Sequence, residues 1–277
     1  MKITAEKTVP PGGLEIQFLG TGASDWPFSE YPVEMEKLTS GDFRGSSSII
    51  VNRKILVDCG PSVLDAATMF KLDFAGLTDL LVTHTHADHF SRETLAGIAR
   101  ELSSPVNLFM EPGALERLEE VPPPFIPRLL QPGKEVDLGA AQVLPIPAGH
   151  SVSQSREQPL NFLFSNAGKH CFYGLDGAWM TREAWKALRN LKLGCIVWDA
   201  AAGEDPGDPR IFGHNNLAMI RIMSATLREV GVLSETTRVL LSHLAEAPYP
   251  SRGERAEIMA EERMEEAHDG MVVQLRP

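Results

Sequence analysis

The sequence predicts a mixed-sheet α/β sandwich formed by one domain over residues 1–277. Three observations favour this fold class: strand-like apolar runs cluster early in the chain, helical periodicity is interleaved with them later, and regular βαβ alternation is missing. A barrel or a doubly wound parallel sheet would show that alternation. A length of 277 residues is within reach of a single large α/β domain.

Short runs rich in β-branched residues, bounded by Gly, Pro and Asp, predict the strands. The predicted strands are Leu14–Leu19, Ser47–Val51, Lys54–Val57, Leu80–Thr83, Val106–Met110, Ala141–Ile146, Leu160–Phe164, His170–Gly174, Cys195–Trp198 and Arg238–Ser242. Asn52 and Arg53 separate the second strand from the third, and they predict a tight hairpin between the two.

Apolar residues at helical spacing predict the helices. The predicted helices are Arg92–Leu102, Arg182–Leu191, Asn216–Val230 and Arg252–Glu265. Ser91, Thr181 and Ser251 stand where N-cap residues are expected. The proline-rich stretch Val121–Pro127 is interpreted as a surface loop, because strand-like runs resume soon after it.

Composition excludes several classes of protein. Lys and Arg number 26 against 37 Asp and Glu, which gives a net charge of −11 and no broad cationic surface for structured nucleic acid. The first residues lack a signal-peptide pattern, and no apolar run approaches the ~20 residues that span a bilayer, so a membrane partner is not expected. The 3 cysteines lie far apart, which argues against a disulfide framework or a thiolate zinc site and favours a cytoplasmic protein.

The most informative segment is Leu80–His89. An apolar strand leads to His84 and His86, whose side chains point to the same side of an extended backbone. Asp88 and His89 follow just before a predicted helix. Imidazoles and a carboxylate so close together suit divalent metals that accept mixed nitrogen and oxygen ligands, such as zinc or manganese. Two pairs of ligands that project in different directions could serve two adjacent ions.

This H-x-H-x-D-H pattern resembles the signature of the metallo-β-lactamase superfamily, and the resemblance extends over nearly the whole chain. Three later segments, each with a histidine or an aspartate at or near its end, follow in the order that the family shows. They are Pro145–His150, Phe172–Gly177 and Val239–His243. The earlier segment Leu56–Gly60 resembles the family's strand whose aspartate, here Asp58, braces the site.

The resemblance implies a four-layer αββα sandwich with two divalent metal ions at the sheet edges. The implied ligands are His84, His86 and His150 for one ion, Asp88, His89 and His243 for the second, and Asp176 as a bridge between them. Zinc and manganese both suit this ligand set. Whether Asp58, Trp26 or Phe28 contributes to the site stays open at this point.

Within the family, the segment Phe18–Gly22 resembles the phosphodiesterase branch. That branch includes the tRNA 3′-end processing ribonucleases and the cyclic-phosphate phosphodiesterase of the carbon–phosphorus lyase pathway. In it, an acidic residue after a strand orients a downstream histidine that protonates the leaving oxygen, and Asp199 and His214 occupy those places. The alternative is a capping role for His214 beside Asn216. The resemblance therefore implies Asp88, Asp199 and His214 as catalytic residues.

The expected function is hydrolysis of a small or cyclic organic phosphodiester through a metal-bridging hydroxide. The sequence shows no long glycine-rich, basic arm for gripping tRNA, which favours a small phosphate ester over structured RNA. The alternatives are hydrolysis of a carbon ester, lactone, thioester or β-lactam, a non-catalytic metal-binding module, and a diiron redox protein. Diiron relatives usually have an acidic residue where this chain has His86. Homodimers are frequent among relatives, and the oligomeric state stays open.

Overall fold

The computed structural model describes residues 12–118, 120–153, 155–204, 212–246, 257 and 259–276. A first sheet of seven strands contains β1 (Leu14–Gly20), β2 (Ser48–Val51), β3 (Ile55–Val57), β4 (Asp79–Leu81), β5 (Val106–Met110), β6 (Phe125–Leu129) and β14 (Val272–Leu275). Their order is β14-β1-β2-β3-β4-β5-β6. Strands β14 to β3 pair antiparallel, and strands β3 to β6 pair parallel.

The second sheet also has seven strands. It contains β7 (Val136–Asp137), β8 (Gln142–Pro147), β9 (Leu160–Asn166), β10 (Lys169–Gly174), β11 (Cys195–Asp199), β12 (Arg238–Ser242) and β13 (Glu265–Glu266), in the order β13-β12-β11-β10-β9-β8-β7. Strands β7 to β10 pair antiparallel, whereas β10 to β13 pair parallel. Each sheet thus has a parallel half, and the carboxyl ends of neighbouring parallel strands meet at one edge.

The helices are α1 (Met35–Ser40), α2 (Val63–Phe70), α3 (Arg92–Glu101), α4 (Pro112–Leu115), α5 (Arg182–Leu188) and α6 (Leu217–Glu229), with short 3₁₀ helices at Phe28–Glu30 and Phe74–Gly76. Helices α2 and α3 cover the outer face of the first sheet, and α5 and α6 cover that of the second. None of the helices in the described part of the chain is both long and apolar enough to cross a membrane.

Three hydrophobic cores separate the layers. The central core lies between the sheets and contains side chains of both, such as Phe18 and Phe162. Strand β12 shows the alternation that this arrangement requires: Leu240 faces the central core, while Val239 and Leu241 face the core under α5 and α6. A third core lies under α2 and α3. The layers therefore form the expected αββα sandwich.

Most predicted elements are confirmed, with bounds that differ by a few residues. Ser91 and Thr181 accept N-cap hydrogen bonds as expected. Asn52 and Arg53 have φ angles of 50° and 54°, as a tight type I′ hairpin requires. Of the helix predicted at Arg252–Glu265, residues 252–256 and 258 lie outside the described residues, as does the predicted cap Ser251. Residues 257 and 259–261 are helical, but Glu265 belongs to strand β13 instead of the predicted helix.

One prediction was wrong. The stretch Val121–Pro127, interpreted as a loop, enters strand β6, which starts at Phe125. A proline argues against an inner strand, but β6 is the edge strand of its sheet, where Pro127 is tolerated because an edge strand does not need every N–H for pairing. The sequence analysis also missed helices α1, α2 and α4 and strands β7, β13 and β14.

Candidate active site

The candidate site lies where strand ends of both sheets converge. The first sheet contributes the segment after β4, which contains His84, His86, Asp88 and His89. The second sheet contributes His150 after β8, Asp176 after β10 and His243 after β12. The fold therefore brings together all seven residues that the resemblance implied as metal ligands.

Two of the implied ligand sets are compact groups. The ligand atoms of His84, His86 and His150 lie within 4.8 Å of one another, and so do those of Asp88, His89 and His243. In the first group, His86 Nδ1 is 2.9 Å from His84 Nε2 and 3.2 Å from His150 Nε2. Three imidazole nitrogens that face one another in this way can share one cation.

Asp176 lies between the two groups. Its Oδ2 is 2.7 Å from His89 Nε2, and its Oδ1 is 3.2 Å from His243 Nε2, 3.9 Å from His150 Nε2 and 4.0 Å from His84 Nε2. One carboxylate oxygen therefore faces His89 while the other faces histidines of both groups. This placement suits a carboxylate that bridges two metal ions.

The chemistry of the donor atoms fits a metal centre. His89 Nε2 and Asp176 Oδ2 are both buried, and neither has a hydrogen-bond partner of acceptable geometry despite their short separation. A buried polar atom without a partner costs free energy, and a divalent cation would satisfy both atoms at once. The mixed nitrogen and oxygen set of these clusters can bind divalent metal ions.

Hydrogen bonds at Nδ1 fix the orientation of two of the rings. His89 Nδ1 lies 2.8 Å from Asp58 Oδ2, and His150 Nδ1 lies 2.8 Å from the carbonyl oxygen of Gly213. Carboxylate and carbonyl oxygens only accept, so Nδ1 is the protonated nitrogen in both rings. In the neutral form of each ring, the lone pair of Nε2 is then available to the cluster, which is how ligating histidines are usually held.

Hydroxyl groups hold two further rings in the same way. Thr83 Oγ1 lies 3.0 Å from His84 Nδ1, and Ser47 Oγ lies 3.0 Å from His243 Nδ1. Thr83 donates its hydrogen to Asp58, and Ser47 donates its hydrogen to a backbone carbonyl. Each hydroxyl therefore accepts from Nδ1 and again leaves Nε2 free. Asp58 thus braces the site both directly and through Thr83.

Burial keeps several of these histidines neutral. It lowers the pKa of His84 well below its ordinary value, and it also lowers the pKa of His86 and His243. A metal ligand must offer an unprotonated nitrogen, so these environments favour the ligating form at neutral pH.

Three site residues have unusual backbone conformations. Asp58, Asp176 and His243 have φ angles of 64°, 50° and 56°, a region that non-glycine residues rarely adopt. Such conformations cost free energy and persist only where the surroundings hold them. Each follows a strand, so the left-handed residue turns the chain and directs its side chain toward the cluster.

A second pair of polar residues borders the cluster. His214 Nδ1 is 2.7 Å from Asp199 Oδ2, at the end of β11. Burial lowers the pKa of His214, but the nearby carboxylates, Asp199 first, outweigh that effect and raise the pKa to about 9. Asn216, not His214, caps α6 by accepting from Met219 N. The raised pKa favours the protonated form of His214 at neutral pH, with Asp199 as the partner of its Nδ1–H.

The site opens into a cavity of about 440 Å³. Its walls include His86, Asp88, Asp176, His214 and His243, together with Ser24, Phe28 and Pro61. Phe28 thus borders the cavity. Trp26 instead packs edge-on against Phe43 and donates a hydrogen bond to the carbonyl oxygen of Leu244.

Several supporting residues were missed by the sequence analysis. Ser47 orients His243, the carbonyl of Gly213 orients His150, and Glu157 accepts hydrogen bonds from the backbone and hydroxyl of Thr85, between the first two histidines. None of these residues stands near its partner in the sequence, and no local pattern marks them.

A family described as "Beta-lactamase superfamily domain" matches residues 53–244, which is more than half of the chain. The chain belongs to the metallo-β-lactamase superfamily. It therefore combines the fold of metallo-β-lactamase hydrolases with His/Asp clusters that can bind metal.

Solved structures of this superfamily fold extend over almost the whole chain. A new diphosphatase from the PhnP family is 17% identical with a TM-score of 0.71, over 95% of this chain and 98% of that one. Zn²⁺-bound PqqB from Methylobacterium extorquens is 16% identical with a TM-score of 0.70, over 94% of this chain and 99% of that one. The short form of human tRNase Z is 17% identical with a TM-score of 0.60, over 95% and 100%. Comparison with curated proteins gives no sequence match.

Proposed function

We propose that this chain is a dinuclear metal-dependent phosphodiesterase that hydrolyses a small or cyclic organic phosphodiester. The observation that carries the proposal is the pairing of His214 with Asp199 at 2.7 Å, on the wall of the cavity that contains the metal-ligand cluster. Such a pair can donate a proton to a leaving group. An alkyl phosphodiester releases a basic alkoxide that needs this proton, whereas a carbon ester or β-lactam with a good leaving group has less need of a proton donor.

The metal ligands are assigned on the geometry of the two clusters. His84, His86 and His150 would hold one ion, Asp88, His89 and His243 the second, and Asp176 would contact both. Zinc and manganese both suit these ligands. When bound, two such ions supply an acidified water and positive charge opposite the phosphoryl oxygens.

Side chains of the protein donate and accept the protons of the proposed reaction. Asp199 holds the Nδ1–H of His214, so the Nε2–H is the proton that passes to the leaving oxygen. Asp88 Oδ2 lies 3.6 Å from His89 Nε2 and 3.9 Å from His243 Nε2. We assign to its other oxygen the role of accepting a hydrogen from the attacking water, which would orient that water toward phosphorus.

The size and charge of the molecule favour a small substrate. A cavity of about 440 Å³ suits a small ester, and the net charge of −11 would repel a long polyanion. Structural neighbours named as a diphosphatase and as tRNase Z support a phosphorus-containing substrate.

A pair of phosphodiesters with different leaving groups tests the role of His214. We expect His214→Ala to slow hydrolysis of ethylene phosphate, which releases an alkoxide, by roughly 10²–10⁴-fold. Hydrolysis of bis(p-nitrophenyl) phosphate should fall far less, because nitrophenolate leaves without a proton. The matched control is His170→Ala, since His170 contacts Ser165 outside the site.

Equal losses on the two substrates would contradict the general-acid role. Failure of the metal-loaded wild-type protein to hydrolyse either substrate would overturn the phosphodiesterase proposal. Screening would then turn to carbon esters, thioesters and lactones.

A further inference from the structure

An apolar groove lies beside the metal-ligand cluster. It has a volume of about 470 Å³, and Trp179, Phe212 and Ile222 line it. These side chains are 50%, 87% and 58% exposed, and they are three of the nine large apolar side chains that are exposed in the described part of the chain. Apolar side chains exposed together around one groove indicate a surface that binds something.

The groove is lined by residues that lie close to His214 and His150 in the chain. Phe212 and Asn216, on either side of His214 in the chain, both line it, and so does Gly149, which precedes His150. At Gly213 an added Cβ would lie 3.1 Å from His150 Nδ1, so the backbone here packs directly against that ring. The wall of the groove is thus the same segment that presents the proton donor.

Trp179 is held firmly in this wall. Its φ angle of 60° is rarely adopted by a bulky residue, and its backbone N–H donates to Asn215 Oδ1 at 2.7 Å. The preceding Ala178 N–H donates to the carbonyl oxygen of Gly149 at 3.1 Å. A strained conformation that neighbouring loops maintain is typical of functional positions. Here it keeps half of an indole side chain exposed beside the site.

We infer that this groove binds an aromatic ring on the leaving group of the substrate, with Trp179 as its stacking partner. The inference rests on the proposed function. Water adds to phosphorus, the bond to the leaving oxygen breaks with its electron pair on that oxygen, and the oxygen takes the proton of His214 Nε2. A proton from the attacking water restores the imidazolium. Because the leaving oxygen must lie at His214, the remainder of the leaving group extends along Phe212 and Trp179.

The aromatic character of the leaving group follows from the chemistry of the walls. Trp179 and Phe212 offer flat faces, and the third exposed side chain, Ile222, is aliphatic. A planar ring can stack on an indole and still leave its edges in water. The predicted substrates are therefore phosphodiesters of an aryl alcohol or of a nucleoside with its base in the groove.

Two diesters with leaving alcohols of similar acidity test the inference: methyl phenyl phosphate and methyl hexafluoroisopropyl phosphate. We expect Trp179→Ala to lower kcat/KM for the phenyl ester by about tenfold, mainly through KM, because stacking is lost. The fluoroalkyl ester should change by less than about twofold. Trp179→Phe should restore most of the phenyl activity. Equal losses on both esters would overturn the inference.

A helix variant pair provides a second comparison. Ile222→Ala shortens a groove side chain on α6, and Val230→Ala shortens a side chain of 46% exposure at the end of the same helix. Only Ile222→Ala should weaken the preference for the phenyl ester. The same effect in both variants would contradict a specific groove.

Binding of product analogues separates this inference from the proposed function. Metal-loaded wild-type protein should bind phenyl phosphate about tenfold more tightly than methyl phosphate in calorimetry, and Trp179→Ala should abolish the difference. Equal affinities in the wild type would overturn the groove assignment, whether or not a diester is hydrolysed. A retained phenyl preference without hydrolysis would refute the phosphodiesterase proposal alone. A wild-type dimer that dissociates on Ile222→Asp would assign the groove to a second copy instead and overturn the inference.

Discussion

At the scale of single residues, the site depends on which nitrogen of each ring carries the hydrogen. His89 and His150 each donate from Nδ1 to an oxygen that can only accept. His214 is held in the same way by Asp199, but its environment keeps it protonated while burial keeps His84 neutral. In the proposed mechanism, histidine therefore serves as a metal ligand in one place and as an acid in another, because the surroundings of the two rings differ.

Asp199 raises the pKa of His214, so the pH dependence of kcat tests whether this pair acts in the reaction. The acid must be protonated to act, so kcat falls as the pH rises through the pKa of His214 in the substrate complex. Asp199→Asn removes the nearest negative charge, and the pKa of His214 falls with it. We therefore expect the alkaline limb of the pH–kcat profile for ethylene phosphate to move to lower pH. An unchanged limb would show that His214 is not the group titrating there.

At the scale of elements, the site is an assembly of loops that follow strands. The segment with His84 and His86 follows β4, and the segment between β8 and β9 lies against it through Glu157. Glu157 accepts from Thr85 N at 2.7 Å and from Thr85 Oγ1 at 2.5 Å. A single buried carboxylate thus joins a loop of the second sheet to a loop of the first.

Removing this carboxylate should destabilise the protein. Glu157→Ala leaves the N–H of Thr85 unsatisfied, and we expect the free energy of unfolding to fall by about 1–3 kcal/mol in urea denaturation. Glu157→Gln should lose less, because its amide oxygen can still accept from that N–H. The control is Glu183→Ala, an exposed glutamate in the first turn of α5. Equal stability of the Glu157 and Glu183 variants would contradict the linking role.

Sequence patterns predict the local parts of this arrangement and miss the long-range ones. The H-x-H-x-D-H segment, the strands and the N-caps at Ser91 and Thr181 depend on neighbouring residues, so they can be read in order along the chain. The hydrogen bond from Thr85 to Glu157 and the contact of Ser47 with His243 join residues far apart in sequence. Only the folded arrangement of the two sheets places these partners together.

At the scale of the whole molecule, the metal-ligand cluster joins the two sheets. The segment that follows β4 of the first sheet carries His84, His86, Asp88 and His89. Segments that follow strands of the second sheet carry His150, Asp176 and His243. Each of the two compact groups combines ligands from both sheets. A cation bound there would connect the halves of the sandwich, so binding and folding stability should be coupled.

Metal removal should therefore lower Tm. A free metal concentration of about 100 times Kd adds about 2.7 kcal/mol to the free energy of unfolding, which raises Tm by several degrees. We expect chelation of the zinc- or manganese-loaded protein to reverse that shift in differential scanning calorimetry. His84→Ala should respond much less to metal, while His170→Ala should respond like the wild type. A wild-type Tm that does not change with metal would refute a structural coupling of the two sheets through the cluster.

Hydrolysis of bis(p-nitrophenyl) phosphate by purified wild-type protein, with His84→Ala measured beside it, tests the proposed function most directly. Turnover that requires zinc or manganese, and that is lost in His84→Ala while its circular dichroism spectrum stays unchanged, is the result we predict. Absence of turnover by fully metal-loaded wild-type protein, or equal turnover by the two proteins, would contradict a metal-dependent phosphodiesterase.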